Sequence, residues 1–277
     1  MNYRYKTKNF LMATTAVFAL SAANPALSQG IVGDAWVSVE AGMSGFEMGY
    51  NGYSRGVGEG ISYVVDESNI GYAFEVGVDL ANTPYSLSLG MRNSSESRSG
   101  YDEYSPYFGE QEAGYTTLDF EVGRDVNLGP AGSGRVTLGV RHANVSASSS
   151  YSYNYSESVT GQFTGIGPRI ALETSVPIMN NVSLDVEAGL AVLFGSTENS
   201  YTEYNGFYGQ MTSSNTSSTT VTNLDFSAAL AYLIGSNSKV SLGYRVEQFG
   251  GLNMYSDYGA VDEIVDQSVF LKFTTRF

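Results

Sequence analysis

The chain has 277 residues, with 14 Lys+Arg against 28 Asp+Glu and no cysteine. A net charge of −14 excludes nucleic-acid binding by phosphate neutralisation, and the absence of thiols excludes disulfide staples, a cysteine-linked lipid anchor and thiolate zinc sites. Charged residues make up only 15% of the chain, against about 25% in an ordinary soluble domain.

The first segment reads as an export signal. Arg4, Lys6 and Lys8 precede an apolar stretch from Phe10 to Leu20, and Ala26 and Ser28 offer the small residues that flank a cut. The apolar stretch is shorter than the roughly 20 residues a membrane helix needs. Residues 1–28 are therefore expected to be a cleaved signal peptide and 29–277 the mature domain. Cleavage would leave 11 basic residues against 28 acidic ones.

From there the chain alternates with a period of two, the mark of strands with one apolar face. Residues 35–43 place Ala35, Val37, Val39, Ala41 and Met43 opposite Trp36, Ser38 and Glu40. Residues 72–80 place Tyr72, Phe74, Val76, Val78 and Leu80 opposite Glu75 and Asp79. The pattern returns at 85–92, with Arg92 on the polar side, and at 116–123, with Asp119 and Glu121 there. Next come 136–141 with Arg141, 166–173 with Arg169 and Glu173, and 182–194 with Asp185 and Glu187. The last three are 223–234 with Asp225, 240–247 with Arg245 and Glu247, and 268–277 with Lys272 and Arg276.

These ten stretches predict an all-β protein, an antiparallel up-and-down transmembrane barrel of about ten strands. The apolar faces carry no charge, which fits a lipid-facing wall where Lys or Arg would cost roughly 2–4 kcal/mol. Connections alternate in length. Short ones fall near 81–84, 125–134, 177–181 and 235–238, and long polar ones near 44–70, 93–114, 147–160, 196–219 and 249–264, as in bacterial barrels with short periplasmic turns. Pro168 sits inside a predicted strand, where its missing N–H predicts a bulge or local bend.

The chain ends in an alternating strand on Val269, Leu271, Phe273 and a terminal Phe277. This resembles the C-terminal signal by which outer-membrane barrels are recognised by their assembly machinery. Further stretches resemble the Legionella-type pore-forming major outer membrane protein family. They are Leu138-Gly-Val-Arg-His-Ala143, Gly165-Ile-Gly-Pro-Arg169, Val182-Ser-Leu-Asp-Val-Glu-Ala-Gly189, Val240-Ser-Leu-Gly-Tyr-Arg245 and the segment from Phe270 to Phe277. The resemblance covers roughly residues 135–277. It implies a pore-forming barrel in the bacterial outer membrane, without catalytic residues. Subunit cross-linking through cysteine, found in some relatives, does not carry over to a chain without cysteine.

The candidate pore lining is the polar face: Glu75, Arg92, Asp119, Glu121, Arg141, Arg169, Glu173, Asp185, Glu187, Asp225, Arg245, Glu247 and Lys272. Arg169 with Glu173, and Arg245 with Glu247, share faces of their strands. Two readings stay open, a salt-bridged plug that fills a narrow barrel and a charged lining that selects solutes. Ten inward acids against six inward bases predict a mild cation preference if the barrel conducts. The expected function is passive passage of small hydrophilic solutes or ions, with outer-membrane lipid and lipopolysaccharide around the wall and a homo-oligomer open. The alternative is a plugged structural or adhesive barrel whose Tyr-rich loops bind a surface partner, since Tyr and Ser suit adaptable contacts. An enzyme is disfavoured. The single histidine, His142, falls on the lipid side by parity, away from any acid it would need as a base. No cofactor or metal motif is present.

Overall fold

The computed structural model describes residues 32–50, 53–57, 63–101, 108–128, 133–152, 155–205, 209–256 and 259–277. The expected signal peptide lies outside the described residues. The strands are β1 (Val32–Tyr50), β2 (Tyr53–Gly56), β3 (Tyr63–Leu80), β4 (Tyr85–Tyr101), β5 (Phe108–Asn127) and β6 (Ser133–Ser152). They continue with β7 (Tyr155–Met179), β8 (Val182–Asn205), β9 (Gly209–Ile234), β10 (Ser238–Ser256) and β11 (Gly259–Arg276).

Each long strand pairs antiparallel with its chain neighbour, and β11 pairs back onto β1, from Trp36↔Arg276 to Tyr50↔Val261. All but the four-residue β2 therefore form a closed ten-strand barrel. Closure pairs each strand on both sides through the lipid belt, which is what a sheet needs in lipid. The short turns are tight. Asn82 (φ 60°) turns β3 into β4, and Gly235 (φ 68°) turns β9 into β10, a conformation glycine adopts without a Cβ penalty.

The lipid-facing belt follows the predicted parity. Leu89, Leu118, Phe120, Leu138, Val140, Ile170, Leu190, Phe226, Leu230, Leu242 and Leu271 are all exposed on the outer wall. On β9 the belt runs from Leu224 to Ile234. At about 3.4 Å per residue and the usual tilt, that matches an apolar band about 25 Å tall. Leu230 sits near its middle and is 57% exposed. Leu230→Arg should therefore cost about 2–4 kcal/mol, read as a lower denaturant midpoint for the barrel folded in lipid vesicles.

Pro168 produces no bulge. It pairs with Val140 on β6, and on the β8 side the ladder drops Gly167 and Pro168 between Ile166↔Phe194 and Arg169↔Ala191, then resumes in the same register. Gly167 makes this possible, because a Cβ there would lie 1.8 Å from the Val192 carbonyl oxygen. The close backbone approach takes up the missing hydrogen bond without an extra residue.

The strands are far longer than the sequence patterns. They run 17 to 26 residues, where a tilted membrane strand needs about 9–11. Most of what reads as long loops is sheet standing above the belt. The cause is an inversion of hydrophobic phase. On β6 the apolar residues facing lipid are Val136, Leu138 and Val140, but farther along Ala143, Val145 and Ala147 point inward and are buried. On β1 the phase passes from Val39 and Met43 outside to Phe46 and Met48 inside. Above the membrane the outer face meets water and becomes polar, while the inner face becomes the core.

Candidate functional site: the barrel interior

The interior is layered. At the periplasmic end, Trp36 is buried beneath Arg135 and Arg276, whose guanidinium carbons stand 4.9 and 5.6 Å from its ring centroid. Its indole N–H donates to Glu75 at 3.4 Å. Arg135 and Arg276 each reach Asp79 at 3.1 Å, and Lys239 reaches Asp185 at 2.6 Å. Arg135, Asp185, Lys239 and Arg276 line a cup of about 350 Å³ that is open to the periplasmic side. Glu173 lines the cup without an ion pair among the described residues.

The next layer is a continuous ionic network. Arg169 bonds Glu121, Glu187 (3.2 Å) and Asp225 (2.8 Å). Asp225 also meets Arg141 at 3.2 Å, and Arg141 holds Asp119 through two bonds of 2.7 Å. Arg141 continues to Asn223 and to Glu247 at 3.1 Å, and Glu247 takes Arg92 at 3.0 Å. Beside them Arg245 is paired with Glu40 and stacks over Phe270, 4.5 Å from the ring centroid. Lys272 lies 3.6 Å from Glu75. Arg141 is 1% exposed and Glu247 is fully buried. A pocket of about 80 Å³ lies within this layer.

The candidate lining residues thus point inward, and all but Glu173 form ion pairs with other strands. Arg169 takes acids from β5, β8 and β9 in place of Glu173, and Arg245 takes Glu40 from β1 in place of Glu247. Residues two or four apart on one strand stand in a row along its axis. A long arginine in a narrow, curved barrel reaches acids on strands one or two places away and satisfies more of its donors there.

Tyr115 marks the top of the ionic layer. Its hydroxyl lies 2.9 Å from Glu247 and 3.0 Å from Asp266. Its ring meets Phe249 (5.1 Å between centroids) and Phe46 (6.0 Å). One side chain therefore joins the polar layer to an apolar one. A pocket of about 10 Å³ adjoins it.

Above it the lumen is a hydrophobic core. Large residues from β1, β10 and β11 (Phe46, Met48, Phe249, Leu252, Met254, Ile264) face small ones from β5 to β8 (Ala113, Ala143, Ala147, Ala191), with Phe163 and Leu193 between them. Glu96 sits above the lipid belt and accepts the Phe46 backbone N–H at 2.6 Å. Burial pushes its carboxyl up from the ordinary range.

The lid of this core is a departure of β10. It pairs with β9 up to Gly250↔Thr222, and its register with β11 then slips between Gly250 and Met254. Gly251 (φ 83°) and Asn253 (φ 53°) turn the strand, so that both Leu252 and Met254 are fully buried. The turned segment leaves β9 and leans over the lumen onto β8 and β7. Thr197 donates to the Leu252 carbonyl at 2.6 Å, and Met254 fills the space beside Gly161, where a Cβ would come within 2.6 Å of it. Among the described residues, β9 below Thr222 in sequence number then pairs only with β8.

The sequence reading missed Arg135, Lys239, Tyr115, Asp266, Glu96 and the whole apolar core. The signal was present as alternation continuing beyond the belt in opposite phase. His142 lies exposed on the outer wall between its register partners Leu118 and Ile166, as parity predicts.

The family model described as the Legionella pneumophila major outer membrane protein precursor matches residues 67–267. The chain belongs to that family. No curated protein matches the sequence. The family places the chain in the bacterial outer membrane, in agreement with the closed barrel and its apolar belt. Among solved structures, the outer membrane protease OmpT from Escherichia coli is similar at 12% identity, over 90% of this chain and 98% of that one, with a TM-score of 0.52. That likeness is one of fold. The translocator domain of the autotransporter NalP from Neisseria meningitidis aligns at 12% identity over 97% of each chain, with a TM-score of 0.46. A major outer membrane protein from Thermus thermophilus aligns at 15% identity over 88% of this chain and 99% of that one, with a TM-score of 0.42.

Proposed function

We propose that this family member works as a closed barrel anchored in the outer membrane, presenting its tall outer sheet at the cell surface. The observation that carries this reading is the filling of the lumen above the periplasmic cup. The ionic layer is a connected set of buried charge pairs that leaves a pocket of about 80 Å³. Packed side chains of the apolar core follow. A hydrated ion crossing this path would have to break buried charge pairs and then enter a dry layer, and both steps are costly.

A second reading is passive passage of small hydrophilic solutes or ions. The charged cup on the periplasmic side favours it, and it requires the ionic and apolar layers to rearrange. No catalytic role is proposed, because the one histidine faces lipid. The outward Val269, Leu271, Phe273 and terminal Phe277 suit recognition by the barrel assembly machinery, and lipopolysaccharide is the neighbour expected around the outer wall.

Single-channel recording in a planar bilayer under a salt gradient tests this. The refolded mature chain should insert and stay electrically silent. Discrete, reproducible steps with a cation-leaning reversal potential would sink the closed-barrel reading and restore the pore.

A further inference from the structure

The inner face of the sheet does not end at the apolar core. Above it β7, β8 and β9 run on, and alternate residues of the three strands share one concave surface. Glu157 comes from β7, Asn199 and Tyr201 from β8, and Ser213 and Asn215 from β9. Tyr255 of the turned β10 segment closes the lower side. Together they line a groove of about 340 Å³, within the range of small-ligand sites.

The groove is held in shape. Asn199 is 7% exposed and uses both ends of its amide on β10, donating to the Asn253 carbonyl (3.2 Å) and accepting the Tyr255 N–H (2.8 Å). It thereby fixes Asn253 in the left-handed region, a conformation that surrounding structure must impose. Tyr255 is delivered to the groove by that turn, and its side chain stays 47% exposed. Tyr201 is 36% exposed, with its hydroxyl donating to Glu203 at 3.2 Å. Glu203 stands directly opposite Glu157 in the ladder, an arrangement of like charges that is unfavourable until hydrogen-bond donors share them.

The chemistry of the lining selects a ligand class. Two tyrosine faces offer apolar area, and amide, hydroxyl and carboxylate groups offer many acceptors and a few donors. No basic residue lines the groove, so phosphorylated, sulfated and uronic ligands meet only repulsion from an acidic chain. A neutral saccharide matches each feature. Its C–H faces stack on tyrosine, and its hydroxyls donate to Glu157, Glu203 and Asn215. We propose that this groove is a binding site for neutral saccharides. The proposal rests on the reading that function lies on the outer sheet.

The test is calorimetric titration of the refolded chain in a zwitterionic detergent, since sugar-headed detergents would compete. Maltohexaose and N-acetylchitohexaose serve as neutral probes and an oligogalacturonate as the anionic one. Saturable binding of at least one neutral probe is expected, weakened about 10-fold or more in Tyr255→Ala and in Tyr201→Ala. Tyr201→Phe keeps the ring and should keep the affinity, which separates stacking from misfolding. The proposal is overturned if neither neutral probe saturates by about 10 mM, if the oligogalacturonate binds equally, or if the alanine variants bind as well as the parent. A silent barrel that binds no probe defeats this site alone. A conducting barrel that binds a probe defeats the closed-lumen reading and leaves the site standing.

Discussion

Arg141→Ala should lower the stability of the folded barrel by about 3–5 kcal/mol, the cost of leaving buried charges without their partner. The guanidinium is 1% exposed and meets Asp119, Asp225 and Glu247 together with Asn223. Truncation leaves three carboxylates, two of them almost fully buried, to repel one another across a cavity. Arg169 stays bound to Asp225 and Arg92 to Glu247, but Asp119 keeps no ion pair among the described residues. Urea or guanidinium unfolding in lipid vesicles, followed by the shift of the folded band on an unheated gel, measures the loss. Conductance distinguishes the two roles of the network. The apolar layer above remains intact in this variant, so it should still be silent. A variant of unchanged stability would mean that the network is loosely made and water-filled.

Phe249→Ala should cost a comparable amount, about 3–5 kcal/mol for a fully buried aromatic whose cavity cannot collapse. Phe249 has no exposed surface and packs at 5.1 Å from the Tyr115 ring, within the apolar layer. Its position separates two pictures of the outer half. If that half were a set of solvated loops, the change would be within experimental error. In the layered barrel the loss appears as a lower unfolding midpoint. Protease sensitivity should also rise above the membrane, with the most exposed targets in the β10 segment that Leu252 and Met254 anchor. Equal resistance of parent and variant would argue that the outer sheet holds without its core.

The membrane-spanning part of this barrel is legible residue by residue. A wall between lipid and lumen forces a period of two, and charge is expelled from one phase of it. Leu138 and Val140 thus declare themselves outward, Arg141 inward and His142 outward before any coordinates. The closing strand and the ten-strand count follow from the same pattern. Above the belt the solvent on the outer face changes from lipid to water. Polar residues then occupy the outer phase and apolar ones move inside. Segments such as 143–152 therefore lose the expected pattern and read as loops, although Ala143, Val145 and Ala147 still alternate.

The sequence by itself determined the barrel, its belt and which charges enter the lumen, because each depends only on parity against a fixed solvent. Only the tertiary structure decided which charges meet. Arg92 and Arg141 both take Glu247 of β10, since closure brings strands distant in sequence within reach of one guanidinium. It also decided that β10 leaves its ladder after Gly250, sealing the core with Leu252 and Met254 and delivering Tyr255 to the outer groove. That turn depends on two left-handed residues and on Asn199 from another strand, a three-way agreement that no local pattern encodes.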